Sequence, residues 1–75
     1  MSYEQLLSLV LDVPAEVLTD EVGREELGAW TSFAHINLIT TLEEAYGVTF
    51  TTDEINRVKT VGEVRRALQA KGVAV

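Results

Sequence analysis

The sequence contains no cysteine, so neither a disulfide nor a thiolate-bound metal can staple it. A chain of 75 residues is enough for one small domain, which has to hold itself together with its apolar core alone. Basic residues are scarce: 6 Lys and Arg stand against 12 Asp and Glu, a formal charge of −6. Arg24 is the only one before Arg57, and Lys59, Arg65, Arg66 and Lys71 follow near the end. That balance argues against nucleic acid, whose affinity rests on cations neutralising phosphates, and against an anionic membrane surface. It favours partners that present basic docking patches. No apolar run approaches the ~20 residues of a membrane-spanning helix. The stretch Leu6–Leu11 is broken by Ser8 and has no basic flank before it, so it does not read as a secretory signal. The expectation is a soluble cytoplasmic protein, and the short length suggests a free-standing monomer.

Histidine is reduced to a single residue, His35. One imidazole with scattered carboxylates lacks the ligand spacing of a zinc site, and no segment has the alternating oxygen donors of a calcium loop. No metal is expected. Ser32 and His35 lie three apart, close enough to meet on a helix surface. A nucleophilic triad also needs an orienting acid and an oxyanion hole, and a chain this small leaves little room for a substrate pocket. By helical angle His35 falls among Ile39, Leu42 and Tyr46, so it reads as a core or loop-packing residue. The chain is expected not to be an enzyme.

What the sequence does have is apolar residues, 47% of the total, and clear helix starts. Ser2 with Gln5, Thr51 with Glu54 and Thr60 with Glu63 each have the spacing of a capping box, in which a side-chain oxygen and an acid or amide satisfy two free backbone donors. The first helix then shows Leu6, Leu9, Val10 and Val13 at helical spacing, with Pro14 to stop it. The second is predicted from Ser32 to Ala45 or Tyr46, with Thr31 as N-cap and Gly47 at its end. At about 100° per residue, Leu38, Ile39, Leu42 and Tyr46 share one arc, with Phe33 and Ile36 at its edge. Asn37, Thr40, Thr41, Glu43 and Glu44 lie mostly opposite. A short third helix is predicted from Thr52 to about Arg57. The last carries Val61, Val64 and Leu68, with Gly72 as its cap. Between the first two helices, Asp12 to Thr31 form a long connection whose Val17, Leu18, Val22, Leu27 and Trp30 should tuck inward. The fold class is therefore all-α: one domain over 1–75, a four-helix bundle with a long first loop and a short third helix.

One position stands out for chemistry. Ser32 opens the second helix, where free amides and a positive partial charge favour a phosphate. It is also the one helix start with neither an acid nor an amide at the capping-box position, Ala34 standing in that place. Physics alone leaves an ordinary first-turn serine as the stronger reading.

The segment Leu27-Gly28-Ala29-Trp30-Thr31-Ser32-Phe33, continued by Leu42-Glu43-Glu44-Ala45-Tyr46-Gly47-Val48, resembles the acyl carrier protein family. That family opens its second helix with an Asp-Ser-Leu-like motif and follows it, about ten residues on, with Leu-Glu-Glu and an aromatic. Thr52-Asp53-Glu54 and Val58-Lys59-Thr60-Val61 resemble its entries into the third and fourth helices. The resemblance implies a carrier whose Ser32 bears a 4′-phosphopantetheine arm from coenzyme A, attached by a phosphopantetheinyl transferase. It further implies an acyl- or aminoacyl-loading enzyme, a downstream synthase or transferase, and cargo held as a thioester. Partner docking is expected at Thr31, Phe33, Asn37, Glu43 and Glu44. A cargo crevice is expected among Ile36, Ile39, Phe50, Ile55 and Val61, with Val48 and Val58 beside them, residues that would equally serve as plain core. Two residues depart from the motif: Thr31 replaces the usual Asp and Phe33 the usual Leu. Trp30 is similar to what stand-alone carriers of polyketide, nonribosomal peptide or related antibiotic biosynthesis show. The alternative is a carrier-like domain that is never modified and acts as a protein-interaction adaptor.

Overall fold

A computed structural model of the chain describes residues 1–75. Four α-helices follow one another, α1 (Tyr3–Leu11), α2 (Ser32–Tyr46), α3 (Thr52–Arg57) and α4 (Val61–Ala70), with a 3₁₀ turn at Ala15–Val17 inside the first connection. All four begin at a Ser or Thr whose side chain accepts a backbone N–H from three residues on: Ser2, Thr31, Thr51 and Thr60. In α1 and α3 the reciprocal bond is also made, completing two of the three capping boxes expected from sequence; at α4 the Glu63 carboxylate instead accepts the Lys59 amide at 2.9 Å, one residue ahead of the Thr60 cap.

The ends are less uniform. α2 stops at Gly47, whose φ of 66° is a left-handed conformation that glycine adopts without a Cβ penalty. α1 stops earlier than Pro14 requires. Asp12 takes φ 56° directly after Leu11, a conformation the short polar residues tolerate better than most. The stripe predicted for this helix shifts as a result. Tyr3, Leu6, Leu7 and Leu11 face the core, whereas Leu9 is exposed.

The core draws on every layer: Leu7 and Leu11 of α1, Leu38, Ile39 and Leu42 of α2, Val61, Val64 and Leu68 of α4, closed off by Leu18, Trp30, Phe50 and Val58 from the connections. The long first connection is therefore part of the core, as its apolar content predicts, although Val17 remains exposed. α1 is tied to α4 by the Tyr3 hydroxyl, which donates to the Val61 carbonyl at 2.7 Å. Burial pushes that phenol well above its ordinary range, against the opposing pull of Arg65, whose guanidinium lies 4.7 Å over the ring. No helix is long and apolar enough to cross a membrane.

Candidate functional site

Ser32 is the first residue of α2, exposed, one step past the Thr31 cap. Thr31 Oγ1 accepts the Ala34 amide at 3.1 Å, which fixes the helix start and leaves the Ser32 hydroxyl free to face outward. No acidic residue occupies the first turn of α2. The one side chain on the hydroxyl is Arg24, whose Nη2 donates to Ser32 Oγ at 3.0 Å. Because Oγ accepts that bond, its own proton remains available to a base from a partner.

Arg24 reaches Ser32 because the first connection is strapped onto the α3–α4 junction. Arg24 N donates to Lys59 O at 3.1 Å, Val61 N to Val22 O at 2.9 Å and Gly62 N to Asp20 O at 3.0 Å, around a bridge pair of Gly23 and Thr60. The approach is close enough that a Cβ on Gly23 would lie 2.4 Å from Lys59 O. Glycine there is what allows the strap to seat. Arg24 joins none of the chain's four ion pairs, which are Arg57–Asp53, Arg65–Glu4, Arg65–Asp20 and Lys71–Glu54. Beside it opens a shallow concavity of about 440 Å³, walled by Glu21, Glu25, Glu26, Lys59 and Glu63 as well as by Arg24 itself.

His35 is buried, and neither of its ring nitrogens meets Ser32. Nδ1 accepts from Trp30 Nε1 at 2.9 Å, and Nε2 lies 2.7 Å from the Ile55 carbonyl. A serine–histidine dyad is therefore not assembled, and the histidine packs the loop and α3 against α2.

The expected docking residues divide. Phe33 is 83% exposed and Ile36 55%; with Asn37, Thr40 and Glu44, also exposed, they line one face of α2 running back from the Ser32 end. Glu43 departs from the group: it is half-buried, and its carboxylate accepts the Phe50 amide at 2.8 Å, satisfying the turn after α2. The crevice residues also divide. Ile39, Phe50 and Val61 are buried in the core with Ile55 packed against them, and no open crevice separates them in this structure. Ile36 stands outside on the exposed face, because its position is turned away from the Leu38–Leu42 arc.

Arg24 was not among the residues expected at the site. The signal for it was present in the sequence as the one cation in an otherwise acidic first two thirds. What linked it to Ser32 was a non-local strap that no spacing rule reveals.

An exposed hydroxyl at a helix N-terminus, with no acid in that helix's first turn and already touched by a guanidinium, suits a phosphodiester. Known proteins agree with that chemistry. A family model described as the phosphopantetheine attachment site matches residues 4–68. Among solved structures, the holo acyl carrier protein of Geobacter metallireducens is similar at a TM-score of 0.82 and 32% identity, over 91% of this chain and 78% of that one. No match was found among curated protein sequences. Fold, site chemistry and family match together make this chain a member of the phosphopantetheine attachment family, a carrier protein with 4′-phosphopantetheine as its prosthetic group.

Proposed function

We propose that Ser32 is the attachment point and that the chain carries acyl or aminoacyl intermediates for a dedicated set of enzymes in secondary metabolism, of the polyketide or nonribosomal peptide kind. The observation that carries the first part is the outward Ser32 hydroxyl at the start of α2, held by Arg24 and by no acid. In the modification step Ser32 Oγ attacks the pantetheine-bearing phosphorus of coenzyme A. A new P–O bond forms, the anhydride P–O bond breaks, and the adenosine bisphosphate leaves with the electron pair. The serine proton passes to a base of the phosphopantetheinyl transferase. Once attached, the arm supplies a terminal thiol on which cargo travels as a thioester.

The chain's own contribution is positioning, not catalysis. It presents Ser32 on a rigid helix start and offers an exposed face of Thr31, Phe33, Asn37 and Glu44 to the transferase, the loading enzyme and the downstream synthase or transferase in turn. Tethering raises the effective concentration of cargo at each of them. Ile39, Phe50, Ile55 and Val61 would have to part for cargo to enter between the helices. Trp30 ahead of the motif supports the secondary-metabolic reading, and the chain acts as a cytoplasmic monomer. Intact mass measurement after incubation with coenzyme A and a broad-specificity transferase tests the attachment. A gain of one phosphopantetheine, absent in Ser32→Ala, is expected. No gain with several transferases would overturn it in favour of an unmodified adaptor. For the pathway, the mass of the cargo on protein isolated from its own host decides, and an ordinary fatty acyl chain would sink the secondary-metabolic assignment.

A further inference from the structure

The geometry points to Arg24 as the residue that grips the phosphodiester of the arm, an inference that rests on attachment at Ser32. Arg24 Nη2 already lies 3.0 Å from Ser32 Oγ, and the phosphate oxygens of an arm on that atom are within the same guanidinium's reach. A serine hydroxyl is a neutral acceptor, and a bond to it on an exposed surface contributes little. A phosphodiester places negatively charged oxygens at the same spot, and a charge-assisted bond to guanidinium is shorter and about twice as strong. Attachment therefore strengthens a contact that exists beforehand.

Two further observations make Arg24 suited to the task. It forms no ion pair with any carboxylate of the chain, although Glu21, Glu25, Glu26 and Glu63 stand around the same concavity. Its charge is therefore not already spent on a neighbour. Its backbone is also fixed, by the hydrogen bond its N–H donates to the Lys59 carbonyl and by the Gly23–Thr60 bridge, so less freedom is lost when it binds. In a chain of net charge −6, it offsets the surrounding acid where a further anion has to be installed.

The test compares wild-type, Arg24→Gln and Arg24→Lys proteins, each as the apo form and, after modification confirmed by intact mass, as the holo form. Thermal midpoints and the ³¹P resonance of the phosphodiester are recorded in low and in high salt. In the wild type, the arm should raise the midpoint by a few degrees and shift the ³¹P signal away from that of free phosphopantetheine diester. Salt should shrink both effects. In Arg24→Gln both should largely vanish while the apo midpoint changes little, and Arg24→Lys should restore part of them. A role confined to bracing the loop would lower apo and holo midpoints equally and leave the ³¹P signal unmoved, which overturns the inference. Should Arg24→Gln resist modification, the wild-type holo protein decides: a ³¹P signal at the free position and insensitive to salt sinks the idea. A normal mass gain with no arginine effect removes this inference and leaves attachment standing. No mass gain in the wild type removes both.

Discussion

Trp30 donates its indole N–H to His35 Nδ1 at 2.9 Å, and both side chains are buried. Tryptophan can only donate, so Nδ1 has to be the acceptor and Nε2 carries the hydrogen, which it gives to the Ile55 carbonyl 2.7 Å away. One neutral imidazole in one tautomer thus joins the end of the first connection, the middle of α2's first half and α3. α3 has six residues, too few to be stable alone, so this bond is one of the few means by which the bundle holds it.

Trp30→Phe keeps most of the apolar bulk and removes the donor. His35 Nδ1 is then buried without a partner, which costs about 1–3 kcal/mol. Urea unfolding should show a loss of that size. A double-mutant cycle with His35→Leu should return a coupling above ~0.5 kcal/mol; strictly additive losses would show that the bond contributes nothing beyond packing.

Gly23→Ala tests the strap. A methyl at this position would stand 2.4 Å from the Lys59 carbonyl oxygen and 3.0 Å from the Thr60 side chain, and the first of these is backbone that cannot swing aside. The overlap should cost about 1–3 kcal/mol and move Arg24 off Ser32. The check is denaturation together with amide exchange at Val61 and Gly62, whose N–H groups bond to the strap. Unchanged exchange there would mean the backbone accommodates the methyl without letting go.

How far the sequence foretold this molecule differs by feature. Helix starts were legible because a cap is local: Ser2, Thr31, Thr51 and Thr60 declare themselves within four residues. The arc Leu38, Ile39 and Leu42 was legible because one period of the helix contains it. The inward face of α1 was misplaced: several apolar residues in succession fit more than one stripe, and only the partner helices select Leu7 and Leu11 over Leu9. Ser32 was singled out by its motif, and the structure puts it exposed at the first position of α2. Arg24 and the task of Glu43 were not legible, since the first depends on backbone pairing across 35 residues of chain, Arg24 to Lys59, and the second on a turn whose amide needed an acceptor.

Acid should weaken the fold through Glu54 before the core is affected. The bonds from Lys71 hold this carboxyl at about 2 instead of the ordinary 4.5, helped by the Thr51 amide. A carboxylate depressed on folding stabilises above its unfolded value, and that contribution fades as pH falls through the interval from about 4.5 to about 2. Glu4 is shifted in the same direction, chiefly by its bond from Arg65, so it adds to the loss on acidification. Glu54→Gln keeps an acceptor for the Thr51 amide while removing the titration. Its stability should decline less steeply than the wild type's across that interval in denaturation at stepped pH. Parallel curves would assign the acid sensitivity elsewhere.

Phe33 separates docking from stability. At 83% exposure its ring has little to lose on truncation, and Phe33→Ala should stay within ~0.5 kcal/mol of the wild type. If the exposed α2 face is where enzymes bind, the same variant should be modified by the transferase with a raised KM and a nearly unchanged kcat, the pattern of lost uniform binding. A stability loss well beyond that range would mean the ring packs against the loop in solution.

Thr31→Asp restores the residue that usually precedes the serine in acyl carrier proteins. Aspartate caps a helix at least as well as threonine, so the bond to Ala34 N at 3.1 Å can be kept. Its charge then sits at the positive end of a helix whose first turn holds no acid, an arrangement that stabilises by about 0.3–1 kcal/mol at low salt. The gain should be visible by denaturation near neutral pH and should disappear when the new carboxyl is protonated. The added charge also lies beside the hydroxyl where a basic transferase surface approaches, so modification by a broad-specificity enzyme should be faster than in the wild type. Arg24 supplies the counterweight: it is close enough to Ser32 to be drawn toward the new carboxylate, and the arm's influence on stability should then shrink as modification speeds up. A variant that is both less stable and more slowly modified would show that the methyl and hydroxyl of Thr31 are matched to this site in a way that charge alone does not capture.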